Sequence, residues 1–152
     1  MMTGVDDAVF VDTSILVYAT VVNAPWHSEA KDALDGLRMQ GTTLWISRQV
    51  LREYAAVVTR PQTFAEPLPA HAVAMDVQTF SALFHVADES AAVTTELMKL
   101  IEIVNVGGKQ IHDANIVATM LVYGIPQILT HNTADFVRYS SLIALRPLVP
   151  AG

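Results

Sequence analysis

The chain has 152 residues, no cysteine, 52% hydrophobic and 16% charged residues; this suits one ordinary domain with a real core, here 1–152. The missing cysteine rules out disulfides, thiolate catalysis and cysteine-held zinc, so a metal must be bound through oxygen or one of five histidines. Nine Lys plus Arg against fifteen Asp plus Glu give a net charge of −6, the wrong sign for gripping nucleic acid unless some acids hold cations that in turn bind phosphate.

The apolar excess leaves little polar residue to cover the outside and predicts that part of the surface is an interface. No apolar run reaches the roughly 18 residues that span a bilayer, and the start of the chain through Asp7 is acidic where a secretion signal is basic. A cytoplasmic location is expected.

Residues 8–12 (AVFVD) form an apolar run ending in an acid, the pattern of a buried parallel strand, and 15–20 continue as a short helix. Residues 26–39 have helical periodicity. Residues 42–46 (TTLWI), entered through Gly41, have the content of a second strand. Ser47 is placed to cap a helix that runs to Arg60 and stops at Pro61. Three prolines mark 61–70 as a loop. A helix over 70–83, a short strand over 84–86 and a helix over 90–104 follow, the last ended by Gly107 and Gly108. The pattern then predicts a helix over 113–123 closed by Gly124, a strand over 127–130 (QILT) and a final strand over 143–148 broken by Pro147. Strands alternating with helices predict an α/β/α sandwich around a mostly parallel sheet, with ligands beyond the carboxyl ends of the strands.

Several acids stand where such a sheet places its site. Asp12, at the mouth of the first strand, is either a site residue or the N-cap of the next helix. Glu53 lies at the edge of the stripe formed by Val50, Leu51, Tyr54, Val57 and Val58, as a boundary residue or as an acid leaning over the strand ends. Asp113 is the least ordinary, because the stripe of Ile116, Val117, Met120 and Leu121 centres on it, and a buried carboxylate calls for a cation, donors or a proton. Asn132 and Asp135 lie in THNTADF, where polar residues also make turns. Thr130 and Asn132 are placed to orient a bound water. His112 reads as a structural hydrogen bonder, and His27, His71, His85 and His131 lack ligand spacing.

Taken together, VFVDTSILVYA, SRQVLREYAAVVTRP, GKQIHDANIVATM and ILTHNTADFVRY resemble, in order and spacing, the motifs of PIN-domain nucleases. More closely, they look like the toxin ribonuclease of VapBC toxin–antitoxin pairs. The resemblance covers residues 9–148 and implies active-site roles for Asp12, Glu53 and Asp113, with Ser14 at a small polar position. It implies a fourth acid in the last block, at Asp135 or, in reserve, Asn132. It also implies Mg²⁺ or Mn²⁺, hard cations that suit carboxylate oxygens and water. In this reading Asp12 and Asp113 hold the principal ion, Glu53 and Asp135 complete the shell or bind a second one, and Glu53 serves as general base. Lys109, Arg48, Arg52, Arg60 and Arg138 are the candidates for substrate phosphates. An RNA substrate, a homodimer and an antitoxin partner follow from the same resemblance, with the helices at 26–39 and 47–60 as the expected antitoxin groove. The rivals are a catalytically inactive PIN-like interaction module and an α/β domain that binds a nucleotide or serves as a phosphoacceptor through Asp12. No glycine-rich phosphate loop supports the latter.

Overall fold

The computed structural model describes residues 7–149; the acidic start of the chain up to residue 6 lies outside them. Strand β1 (Ala8–Val11) is buried at every position, as its unbroken apolar run requires. It leads into α1 (Thr13–Thr20), and α2 (His27–Met39) follows. Strand β2 (Thr43–Ser47) ends on the residue that caps α3 (Arg48–Val58): the Ser47 hydroxyl accepts from the Val50 amide. After the proline loop come α4 (Ala70–Leu83), β3 (His85–Ala87), α5 (Ala91–Val104), α6 (Gln110–Tyr123), β4 (Gln127–Thr130) and β5 (Ala144–Pro147). Two single-turn 3-10 helices, Thr133–Asp135 and Val137–Tyr139, link β4 to β5.

The five strands are all parallel, in the order β3-β2-β1-β4-β5. From β1 the chain first steps outward through β2 to β3, then crosses back to β4 on the other side of β1. Right-handed crossovers therefore place α1–α4 on one face and α5 and α6 on the other, and α5 packs along α6 while α1 contacts both α2 and α3. The sheet interior (Val9, Phe10, Ile46, Ile128) is fully covered. Because crossovers leave β1 and β4 in opposite directions, a crevice opens at their carboxyl ends.

The structure moves several expected boundaries. Phe84 ends α4 as its C-cap and β3 begins one residue later. Helix α6 starts at Gln110, because the first turn needs no side-chain cap once the Gln110 amide bonds to the Gly107 carbonyl. Pro147 does not break β5: the strand is at the sheet edge, where a missing N–H is tolerated, and the Leu148 amide resumes pairing with the Thr130 carbonyl. The helices expected to form the antitoxin groove, α2 and α3, are separated along the chain by β2, and each packs on α1.

Candidate active site

Asp12 continues β1 in an extended conformation and forms the N-cap of α1. Its Oδ1 accepts from the Thr13 amide at 2.9 Å and its Oδ2 from the Thr130 hydroxyl at 2.7 Å. Capping and a place in the site are thus the same arrangement: one oxygen ends a helix while the group sits at the crevice. Thr130 Oγ1 in turn accepts from the Asn132 amide at 2.9 Å, which folds the segment after β4 back toward Asp12. Ser14 Oγ accepts from the His131 amide at 3.3 Å and draws the same segment to α1.

Glu53 reaches the crevice from α3. Its Oε1 accepts from the Thr13 hydroxyl at 2.9 Å and its Oε2 from the Gln49 side-chain amide at 3.2 Å. Gln49, one helical turn before Glu53 and buried, also donates to the His112 carbonyl at 2.8 Å, while its own oxygen accepts from Asn115 Nδ2 at 2.8 Å. This glutamine ties α3 to the first turns of α6, and so relates Glu53 to Asp113. Sequence reading passed over Gln49; the available signal was a polar residue four positions before Glu53, on the side of the helix that faces the core.

Asp113 stands in the first turn of α6 and is partly exposed. The residues one and two turns further on, Ile116, Val117 and Met120, are buried. The stripe therefore points into the core as expected, but its leading carboxylate emerges at the crevice. Asp135, exposed at the end of a 3-10 turn, reaches the same space, and Asn132 does too. The last block thus contributes both of its candidates, because the tight turn at Thr133–Asp135 brings the two side chains to one side. Asp12, Glu53, Asp113 and Asp135 all line a single cleft of about 440 Å³.

Gathering acids has an electrostatic cost. Burial pushes the Asp12 carboxyl up to about 6, against the lowering effect of Thr130 and Thr13 and with the help of Glu53 and Asp135. Asp113 is also pushed up to about 6, first by burial, then by Asp135, Asp12 and Glu53. Two carboxylates about 5 Å apart repel by roughly 3 kcal/mol at an effective dielectric near 20, so a fully ionised group calls for a cation. Every donor that converges is a carboxylate, hydroxyl or amide oxygen, and no histidine lines the cleft, which fits a hard divalent ion such as Mg²⁺ or Mn²⁺. Among the described residues no three His, Cys, Asp or Glu groups stand together as a set that could hold a metal ion.

The remaining expected residues divide. Arg48 pairs with Asp88 and Arg52 with Glu89, both at 3.0 Å on the exposed rim beyond β3, away from the cleft lining. Arg60 does line the cleft; Lys109 and Arg138 do not. His112 is exposed and offers its carbonyl to Gln49. His27 bonds through Nδ1 to the Tyr18 carbonyl at 2.7 Å, His85 lies 5.0 Å from the Trp45 ring, and His131 packs between Tyr18 and Trp26.

A parallel sheet in this strand order, with acids from β1, α3, α6 and the turn after β4 in one cleft, defines an α/β domain with an acidic cleft at its topological switch. The PIN domain family matches residues 9–142, and the chain belongs to it. Ribonuclease VapC48 of Mycobacterium tuberculosis is 26% identical over 133 residues, covering 86% of this chain and 91% of that protein. Among solved structures, VapBC2 from Rickettsia felis, bound to a DNA fragment from its promoter, is similar at a TM-score of 0.68 with 22% identity over 92% of this chain and 98% of the other. A toxin–antitoxin complex from Klebsiella pneumoniae is similar at a TM-score of 0.62 with 20% identity over 94% and 99%. The α/β fold expected from the sequence is that of these structures.

Proposed function

We propose that this chain, 1–152 as a single PIN-like domain, is a metal-dependent endoribonuclease and the toxin of a VapBC-type toxin–antitoxin pair. One observation carries the chemistry: Asp12, Glu53, Asp113 and Asp135 line one cleft, where burial and mutual repulsion raise two of them to about 6 and the lining offers Arg60 as its basic side chain against four acids. Such a set is held together by a hard cation rather than by a basic side chain. The ribonuclease name of the relative and the toxin–antitoxin character of the structural neighbour support the class of substrate and partner.

In this reading Asp12 and Asp113 hold Mg²⁺ or Mn²⁺, with Glu53 and Asp135 in support. The ion, when bound, lowers the pKa of a coordinated water and neutralises charge gathering on the phosphodiester. The protein's own residues do the positioning. Thr130 and the Thr13 amide hold both oxygens of Asp12, and Gln49 and Thr13 hold those of Glu53, so each carboxylate presents its remaining lone pairs in a set direction. Glu53 takes the proton of the attacking water as its oxygen bonds to phosphorus, the opposite P–O bond of the RNA breaks, the released ribose oxygen takes a proton from solvent, and no covalent enzyme intermediate forms. Ser14 and Asn132 line the cleft where a water or substrate oxygen would lie.

The test is cleavage of a structured RNA by the purified chain with Mn²⁺ or Mg²⁺ and with excess EDTA. Cleavage that EDTA abolishes is expected. Cleavage unaffected by EDTA would remove the metal from the mechanism, and no cleavage with either ion would favour the inactive interaction module. For the antitoxin we propose the apolar groove between α1, α2 and α4, where Leu16, Leu34, Phe80 and Leu83 meet. We further propose a cytoplasmic homodimer; among the described residues no helix is long and apolar enough to cross a membrane. Sedimentation at micromolar concentration checks the dimer, and a single-mass monomer would overturn it.

A further inference from the structure

The cleft lining continues past the acids: a turn further along α1 and α3 it takes in Val17, Tyr18 and Val57, and beyond the end of α3 it takes in Arg60, Gln62 and Phe64. Tyr18 and Phe64 are part-exposed, so ring surface faces solvent at the cleft. This wall is preformed. The Gln62 amide bonds to the Ala65 carbonyl at 2.9 Å and the Ala65 amide to the Gln62 carbonyl at 3.4 Å, closing a tight turn with Phe64 inside it. The Leu68 amide ties the loop to the Val58 carbonyl at 2.8 Å. Gln62 donates its side-chain amide to the Val57 carbonyl at 2.8 Å and the Arg60 carbonyl at 3.4 Å, leaving its amide oxygen as the acceptor in this part of the cleft.

Charge points the same way. Among the described residues Arg60 is the one Lys or Arg that lines the cleft, while Arg48 and Arg52 are paired with acids. Apart from the divalent ion of the ribonuclease reading, a polyanion entering this acidic site thus meets a single basic side chain, which leaves a share of its affinity to contacts with its bases. Aromatic faces beside one arginine are how proteins hold unpaired nucleotides, whose splayed bases stack on rings.

Resting on the ribonuclease reading, we propose that the part of the cleft formed by Tyr18, Phe64, Gln62 and Arg60 is a nucleobase subsite for one unstacked nucleotide of single-stranded RNA, next to the bond that is cut. The base packs on the Phe64 and Tyr18 wall, a base N–H donates to the Gln62 oxygen, and Arg60 meets the adjoining phosphate. Substrate selection then lies in an unpaired base flanking the cut rather than in duplex shape.

The test compares wild type, Phe64→Leu and Phe64→Ala on a pool of short single-stranded RNAs and on the same sequences in duplex, with binding to the Asp113→Asn background followed by fluorescence anisotropy. Phe64→Leu keeps an apolar side chain for the loop while removing the ring. Expected are a KM raised by about 5- to 100-fold, kcat nearly unchanged, a flattened base preference at one position flanking the cut, and weaker single-strand binding. A folded Phe64→Leu protein with wild-type KM, cleavage profile and binding would overturn the subsite, as would duplex RNA cut as fast as single strands. If wild type cuts no RNA, the ribonuclease reading fails, and anisotropy still decides whether Phe64 binds unpaired RNA.

Discussion

Thr130 donates its hydroxyl hydrogen to Asp12 Oδ2 at 2.7 Å, joining the ends of β4 and β1 across 118 residues of chain. This bond favours the ionised carboxylate, yet burial outweighs it and Asp12 rises from 3.8 to about 6. The folded state therefore binds this proton more tightly than the unfolded chain. The resulting stability is present below about pH 4 and lost as pH rises through about 6. A two-unit shift is worth about 3 kcal/mol, and Asp113, partly exposed, adds a smaller share of the same sign. Mg²⁺ should therefore raise the melting temperature markedly at pH 8 and little at pH 5. Equal stabilisation at both values, measured by thermal denaturation with and without Mg²⁺, would contradict ion binding by these two groups.

Asp113→Asn removes the charge that makes no hydrogen bond within the cleft among the described residues. Cleavage should fall by at least about 100-fold, the scale on which loss of a charge-organising group acts. Metal-free at pH 8 the variant should melt above wild type, because Asp12, Glu53 and Asp135 lose a like-charged neighbour. Undiminished cleavage by a folded variant would take Asp113 out of the machinery.

Gln49 is buried and makes three side-chain bonds, to Glu53, the His112 carbonyl and Asn115. Replacing it by Leu removes all three bonds from partners that are only partly buried, at a total cost of about 1–3 kcal/mol. The expected result is a lower urea midpoint together with Mg²⁺ affinity weakened several-fold by calorimetry. Loss of stability with unchanged Mg²⁺ affinity would make Gln49 a strut of the fold and not a positioning residue for Glu53.

The exposed pairs of Arg48 with Asp88 and Arg52 with Glu89 call for the opposite outcome. Arg52→Ala should alter stability by less than about 1 kcal/mol, as surface ion pairs do, and leave RNA affinity within about twofold. A tenfold loss in anisotropy would mean that substrate phosphates reach beyond the cleft to the rim past β3.

How much of this was legible in the sequence follows from the range of each signal. The AVFV run marked β1 as a fully buried parallel strand because every position of such a strand is covered by helices on both faces. Ser47 and Gly124 marked helix ends because capping acts within a residue or two, whereas α3 stops at Val58, short of the Pro61 expected to end it. The blocks around Asp12, Glu53 and Asp113 could be read because strand mouths and helix stripes have short periods.

What only the tertiary structure decided involves partners far apart along the chain. Helical periodicity placed Asp113 on an apolar stripe, but whether its carboxylate met the core or a cleft depended on where α6 begins relative to β1 and β4. Gln49 looked like an ordinary helix residue until α6, 63 residues on, supplied the His112 carbonyl. Arg48 and Arg52 looked like candidate phosphate ligands until the rim after β3 supplied Asp88 and Glu89. Local sequence sets which face of an element is apolar and where it ends. Which polar group meets which is set by the sheet order, because parallel crossovers bring together residues separated by tens of positions.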